Sequence, residues 1–174
     1  YNHRIYDTVR GVNKRLYSDL TNGEYTSTQS VMSFDADGFT LGTDAGENNG
    51  TTPGSFVAWC WDAGSGSAAS NTDGSITSTV KANPGYGFSI VKWVGDGTSQ
   101  GATVGHSLGV TPSMIIVKST DSTAGWNVWH EGLTNATTSR LVLNDDSDEF
   151  DSVYVWGSTA PDNSAFGVGT VGTT

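Results

Sequence analysis

The hydrophobic and polar positions of this chain fall into short runs of β-branched and aromatic residues bounded by Gly, Asn, Asp and Ser. Alternating apolar and polar positions suit a half-buried strand, whereas a helix needs a sustained 3.6-residue period. No such helical period extends over about eleven residues or more. The pattern predicts strands at 4–9, 15–17, 39–41, 56–61, 75–81, 88–94, 114–118, 127–130, 140–143, 153–156 and 166–168. Asp37-Gly38, Asp73-Gly74, Asn83-Pro84-Gly85 and Gly95-Asp96-Gly97 supply the turn chemistry between them. Short strands at this spacing predict an all-β antiparallel sandwich or barrel.

Three stretches recur in order. Arg4-Ile5-Tyr6-Asp7 lies over Val128-Trp129-His130-Glu131, Arg15-Leu16 over Arg140-Leu141, and residues 38–43 over 165–170, at offsets of 124, 125 and 127. Such self-similarity marks a tandem repeat. Residues 1–64 then read as the C-terminal half of one module, ending in the apolar run Ser55-Phe56-Val57-Ala58-Trp59-Cys60-Trp61. Residues 65–71 read as a Gly/Ser/Ala linker. Residues 72–174 read as the following module without its last strand, so the chain starts mid-module. Residues 46–54 read as a long hairpin loop. Half a sandwich leaves an apolar face and an unpaired edge in water, which a neighbouring segment or chain must cover.

Composition narrows the classes. Gly, Ser and Thr make up 67 of 174 residues, yet six Trp, six Tyr and six Phe exclude a disordered tract. A net charge of -10 argues against nucleic acid and against anionic membranes as partners. No apolar run reaches the roughly 18 residues of a membrane helix. Residues 1–20 lack the apolar stretch of a signal peptide, and the Tyr at position 1 fits a piece of a longer polypeptide. The single cysteine, Cys60, excludes a disulfide scaffold and is expected to be buried among its apolar neighbours.

Candidate chemistry is sparse. His3, His106 and His130 have no partner at metal-ligand spacing, and His106 reads as a turn histidine bonded to main chain. A Ser-His-Asp relay through Ser107 lacks the Gly-x-Ser-x-Gly elbow. Glycoside hydrolysis needs two facing carboxyls about 5–9.5 Å apart. Glu131, beside the aromatic run 126–130, has no partner carboxylate near it in sequence. No enzyme activity is expected. No cofactor is expected either, although calcium is the cation that Asp145, Asp146 and Asp148 at an acidic hairpin tip could hold. The turn at 34–39 reads more simply as a hairpin with Gly38 at a positive φ. Trp59 and Trp61 share strand parity and read as core. Trp126 and Trp129 do not, which places one of them outside the core. Trp126, Trp129 and Tyr154 are the candidate rings for stacking on a sugar.

Residues 2–11 (Asn2-His3-Arg4-Ile5-Tyr6-Asp7-Thr8-Val9-Arg10-Gly11), residues 33–42 and Phe56-Val57-Ala58-Trp59-Cys60-Trp61-Asp62-Ala63-Gly64 resemble a repeated β-sandwich module of tailed-bacteriophage virion proteins. So do residues 71–80, 87–91, 104–112 and 114–118, so the likeness covers almost the whole chain. In that family Gly often stands where this chain has Ser107, and a strand similar to residues 112–118 precedes the segment matching Tyr1.

The resemblance implies concanavalin/laminin-G-like jelly-roll modules in a tail fibre, appendage or capsid-surface protein. It implies a non-enzymatic structural role in host attachment or surface display, and localisation in the virion. Other virion proteins, a homotrimeric assembly and a host surface glycan or receptor are the implied partners. A calcium-assisted lectin and a glycan depolymerase are the alternatives. Isolated residues 1–62 are expected not to fold, and a sharp two-state melt of that fragment would contradict the repeat phase.

Overall fold

The computed structural model describes residues 2–48, 54–98 and 100–170; part of the expected loop 46–54 lies outside them. All regular elements among the described residues are strands, so the fold is all-β, with antiparallel sheets consistent with a β-sandwich. Among these residues no helix is long and apolar enough to cross a membrane.

The chain begins with β1 (Arg4–Ile5), β2 (Lys14–Tyr17) and β3 (Tyr25–Thr26), which form one three-stranded sheet in that order. The turn after β1 is fixed by Asp7, whose carboxylate accepts the main-chain N–H groups of Val9 at 3.0 Å and Arg10 at 2.7 Å. β4 (Val31–Phe34) and β5 (Phe39–Leu41) form a hairpin. β6 (Ala69–Asn71), β7 (Ser78–Asn83) and β8 (Phe88–Trp93) make a second three-stranded sheet. Its long hairpin turns through Pro84-Gly85-Tyr86-Gly87, where Gly87 takes a φ of 66°.

β9 (Ala102–Gly105) pairs with the last strand, β14 (Ala165–Val168). Between them β10 (Met114–Val117), β11 (Asn127–His130), β12 (Ser139–Val142) and β13 (Phe150–Asp151) form a four-stranded sheet in sequence order.

Two apolar clusters lie in the second half. Ile76, Ala102, Val104, Phe166 and Val168 form one, with Val104 wholly buried. Trp129, Val155 and Trp156 form the other. Ile115 and Val117, alternate residues of β10, pack against both. The first half docks on the second through Trp126, whose indole N–H donates to the carbonyls of Tyr17 and Leu20 at 2.8 and 3.1 Å. Two main-chain bonds, Glu24 N–H to Thr120 O and Ala124 N–H to Thr21 O, reinforce that seam.

One hydrogen-bonding pattern occurs twice. Arg15 pairs with Tyr25 across strands, and Arg140 pairs with Phe150, 125 positions on. Each guanidinium lies over its aromatic partner, at 4.5 and 4.4 Å from the ring centroid. Ser27 N–H donates to Asn13 O, and Ser152 N–H to Thr138 O. Asp35 N–H donates to Gly38 O, and Asp162 N–H to Ala165 O. Gly42 N–H donates to Ser30 O, and Gly169 N–H to Val155 O. The β1–β2 register, Arg4 to Tyr17 and Ile5 to Leu16, matches Asn127 to Val142 and Val128 to Leu141 in β11–β12. Arg4 is therefore equivalent to Asn127, one residue away from the Arg4–Val128 match that the sequence suggests.

Other expectations are corrected. The run 56–61 is no strand, because no neighbouring strand takes its main-chain bonds. Trp59 and Trp61 are exposed, and so is Cys60. Trp61 does stack on Phe88, with centroids 6.2 Å apart. Residues 153–156 form no strand but a turn, closed by the main-chain bond from Val155 N–H to Ser152 O, with Val155 and Trp156 both buried. Within the expected linker, Ala69–Asn71 is a strand, since ladder pairing with β7 needs no large side chains. Gly38 is not at a positive φ. β3, β4, β9 and β13 lie outside the stretches the sequence pattern predicts: β3 and β13 are two residues long, β9 is mostly small residues, and a register shift between Val31 and Ser33 breaks the alternation of β4.

Gly167 lies so close to its neighbours that an added Cβ would sit 2.2 Å from Trp156 O. Gly167→Ala is expected to destabilise the protein by about 1–3 kcal/mol. Gly38→Ala, where a Cβ meets nothing within 4 Å, is the control. Paired urea melts check the difference.

Candidate functional site

Polar chemistry concentrates where the first repeat lacks apolar packing. Arg4 on β1 and Arg15 on β2 converge on the loop after β5. Asp44 accepts from Arg4 Nη1 at 2.8 Å, Arg15 Nη1 at 2.9 Å and Gly46 N–H at 2.9 Å. Glu47 lies 2.8 Å from Arg4 Nη1 and accepts from the Tyr6 hydroxyl. All four charged side chains are largely buried. Arg15 also lies over the rings of Tyr17 and Tyr25.

Burial alone would raise the Asp44 carboxyl, but the bonds from Arg4, Gly46 and Arg15 hold it well below the usual carboxylate range. Burial and the Glu47 bond push the Tyr6 hydroxyl up to about 12. The cluster was not read in the sequence, although its signal was there: Arg4, Arg10, Lys14 and Arg15 are half of all Lys and Arg residues. Its chemistry is that of a clamp, because every charge is bound to an opposite one.

The second repeat replaces this clamp with apolar groups. Asn127 stands at the place of Arg4, Trp129 at Tyr6, Val155 at Ser30 and Trp156 at Val31. Arg140 keeps its aromatic partner and donates to Asn127. Among the described residues it has no carboxylate partner, and burial lowers its pKa.

Trp126 and Trp129 are both buried, at 5% and 4% exposure, which corrects the expectation that one lies outside the core. Trp129 donates its indole N–H to Ala136 O at 2.9 Å. Tyr154 alone of the three presents an open ring, at 58% exposure. The structure therefore does not bring the three rings together on one surface.

Asp145, Asp146 and Asp148 are exposed. Asp145 accepts from the main chain and hydroxyl of Ser147, and those bonds hold its carboxyl below the ordinary value. Asn144 is spent on the main-chain N–H of Trp126 at 2.8 Å. Among the described residues no three His, Cys, Asp or Glu side chains are placed to hold a metal ion.

His106 is buried, with Leu108 N–H donating to Nδ1 and Nε2 facing Asp162 O, both at 3.2 Å. Nδ1 is thus the acceptor and Nε2 carries the proton, so the imidazole is tied to main chain on both sides. His130 Nδ1 likewise accepts from Gly132 N–H in its own turn. Ser107 takes a φ of 57°, a conformation Gly adopts freely, and its hydroxyl accepts from Asn71 at 2.8 Å.

A β protein made of a repeated hydrogen-bonded unit, with an Arg–Asp–Glu cluster beneath one copy and apolar groups beneath the other, is what the geometry defines. The chain belongs to the family described as Domain of unknown function (DUF7483), whose model matches residues 1–174. No curated protein and no solved structure matches it.

Two pH effects follow from the clamp. A depressed carboxyl stabilises the fold above the unfolded value of about 3.9, and that contribution is lost as pH falls below it. Asp44→Asn is expected to cost about 2 kcal/mol at neutral pH, between exposed and fully buried pairs, and to flatten the acid limb of stability. A raised tyrosine stabilises below the unfolded value of about 10, and the contribution fades as pH rises toward about 12. Tyr6→Phe is expected to flatten the alkaline limb. Denaturant melts from pH 2 to 11 check both.

Proposed function

We propose that the chain is a non-enzymatic structural module of a tailed-bacteriophage virion, part of a tail fibre, appendage or capsid-surface protein serving host attachment or surface display. The observation that carries this reading is the repetition of one hydrogen-bonded β unit within a single chain. Repetition extends a rigid object by copying one module, as fibres and surface arrays require. The likeness of residues 2–11, 33–42, 104–112 and 114–118 to phage jelly-roll modules of the concanavalin/laminin-G kind points the same way. The net charge of -10 suits a surface that stays dispersed. Association as a homotrimer, with other virion proteins around it and a host surface glycan or receptor as its target, belongs to the same reading.

A second reading, a carbohydrate-binding module, rests on one observation: the open ring of Tyr154 in the turn after β13, available for stacking on a sugar.

Particles purified by density gradient from cultures making this protein are expected to carry it, with antibody gold on their outer surface. Recovery only in the soluble fraction, with none on particles, overturns the structural reading. Glycan-array binding that vanishes in Tyr154→Ala would favour the second.

A further inference from the structure

The two repeats differ in what lies beside them. In the second, β10 covers the outer edge of β11, and β9 covers the outer edge of β14. In the first, the equivalent strands β1 and β5 end their sheets. Ser18 N–H donates to His3 O on the inner side of β1, so by strand alternation the main chains of Arg4 and Tyr6 point outward. Among the described residues nothing bonds to them. Phe39 and Leu41 on β5 occupy the places of Phe166 and Val168, which β9 pairs through Val104 and Ala102.

Side-chain exposure follows the missing strands. Phe39 is 39% exposed where Phe166 is 4%, and Ile5 is 37% exposed where Val128 is 8%. Leu41 and Tyr6 are half-buried where Val168 and Trp129 are buried. Two apolar-flanked edges therefore stand open in one repeat, and the other repeat records what closes them.

We propose that the free edges of β1 and β5 form one docking site for a strand pair of the β9–β10 kind, donated by another repeat unit. One donor strand runs antiparallel to β5, with small or branched apolar residues opposite Phe39 and Leu41, as Val104 and Ala102 lie opposite their equivalents. The other runs antiparallel to β1, with apolar residues opposite Tyr6 and Arg4, as Ile115 and Val117 lie opposite Trp129 and Asn127. Main-chain bonds supply binding and the alternate side chains supply selectivity, the logic of β-strand addition. A second identical chain is not the donor, because its own β9 and β10 already pair with β14 and β11. The inference is independent of where the protein resides, so it stands or falls apart from the virion reading.

The test is an extended protein in which a copy of residues 102–124 is joined ahead of Asn2, the spacing that leads to Trp126, the equivalent of His3. Amide exchange at Arg4, Tyr6, Phe39 and Leu41 is expected to slow at least tenfold relative to the unextended chain. Aspartates at the places of Ile115 and Val117 in the added copy should abolish that slowing. The free peptide 102–118, titrated into the intact chain, gives a second readout, with amide shifts expected at the same four residues. Unchanged exchange in an extended protein whose β7–β8 amides remain protected overturns the proposal. So does the absence of shifts with the peptide. An unextended chain that is dimeric with Arg4 and Tyr6 already protected also overturns it, assigning the edges to a second copy.

Discussion

Strand β10 is the element on which the folded second repeat depends. Its four residues turn Ile115 and Val117 to one face, and both apolar clusters pack against that pair. Its outer edge is open, but its inner edge pairs residue by residue with β11 and so fixes the register of the four-stranded sheet. A strand this short is held by burial more than by its ladder, since each cross-strand pair adds only about 0.2–1 kcal/mol. Where β10 and β9 are present, Trp129, Trp156 and Phe166 are closed off from water.

The first repeat solves the same hairpin geometry with charge. Arg4, Arg15, Asp44 and Glu47 bind one another beneath the β1–β2 hairpin, while Ser30 and Val31 stand where the second repeat has Val155 and Trp156. Polar groups taken out of water must be paired, so the clamp is more exacting about geometry than an apolar core. Arg15 over Tyr25 and Arg140 over Phe150 are the contact that both repeats keep. The pair is kept although the groups beneath the strands differ, so the strand pairing is copied more closely than the core.

Much of the strand set was legible because alternation and turn residues are local properties. The strands at 39–41 and 127–130 were read to the residue, and the 88–94 strand missed by one. The run 56–61 misled for a physical reason. Val57, Trp59 and Trp61 at alternate positions have the chemistry of a strand, but a strand exists only where a neighbour accepts its main-chain bonds. Ala69–Asn71 erred the other way, since small residues look like linker and still pair well. Trp126 could not be placed by parity, because it lies one residue before β11 and is buried by the carbonyls of Tyr17 and Leu20 from the other repeat.

The sequence by itself determined the all-β class, the turns at Asp37-Gly38, Asp73-Gly74 and Asn83-Pro84-Gly85, and the presence of a recurring hairpin, because periodicity and turn chemistry act within a few residues. It also determined the acidic surface and the main-chain role of His106. The tertiary structure alone decided which edges are covered and which aromatics are buried. It also decided which arginines find carboxylates and the one-residue shift that makes Arg4 equivalent to Asn127. Those outcomes depend on pairs 11 to 109 residues apart, such as Arg4 with Asp44 and Trp126 with Tyr17, whose meeting no local pattern encodes.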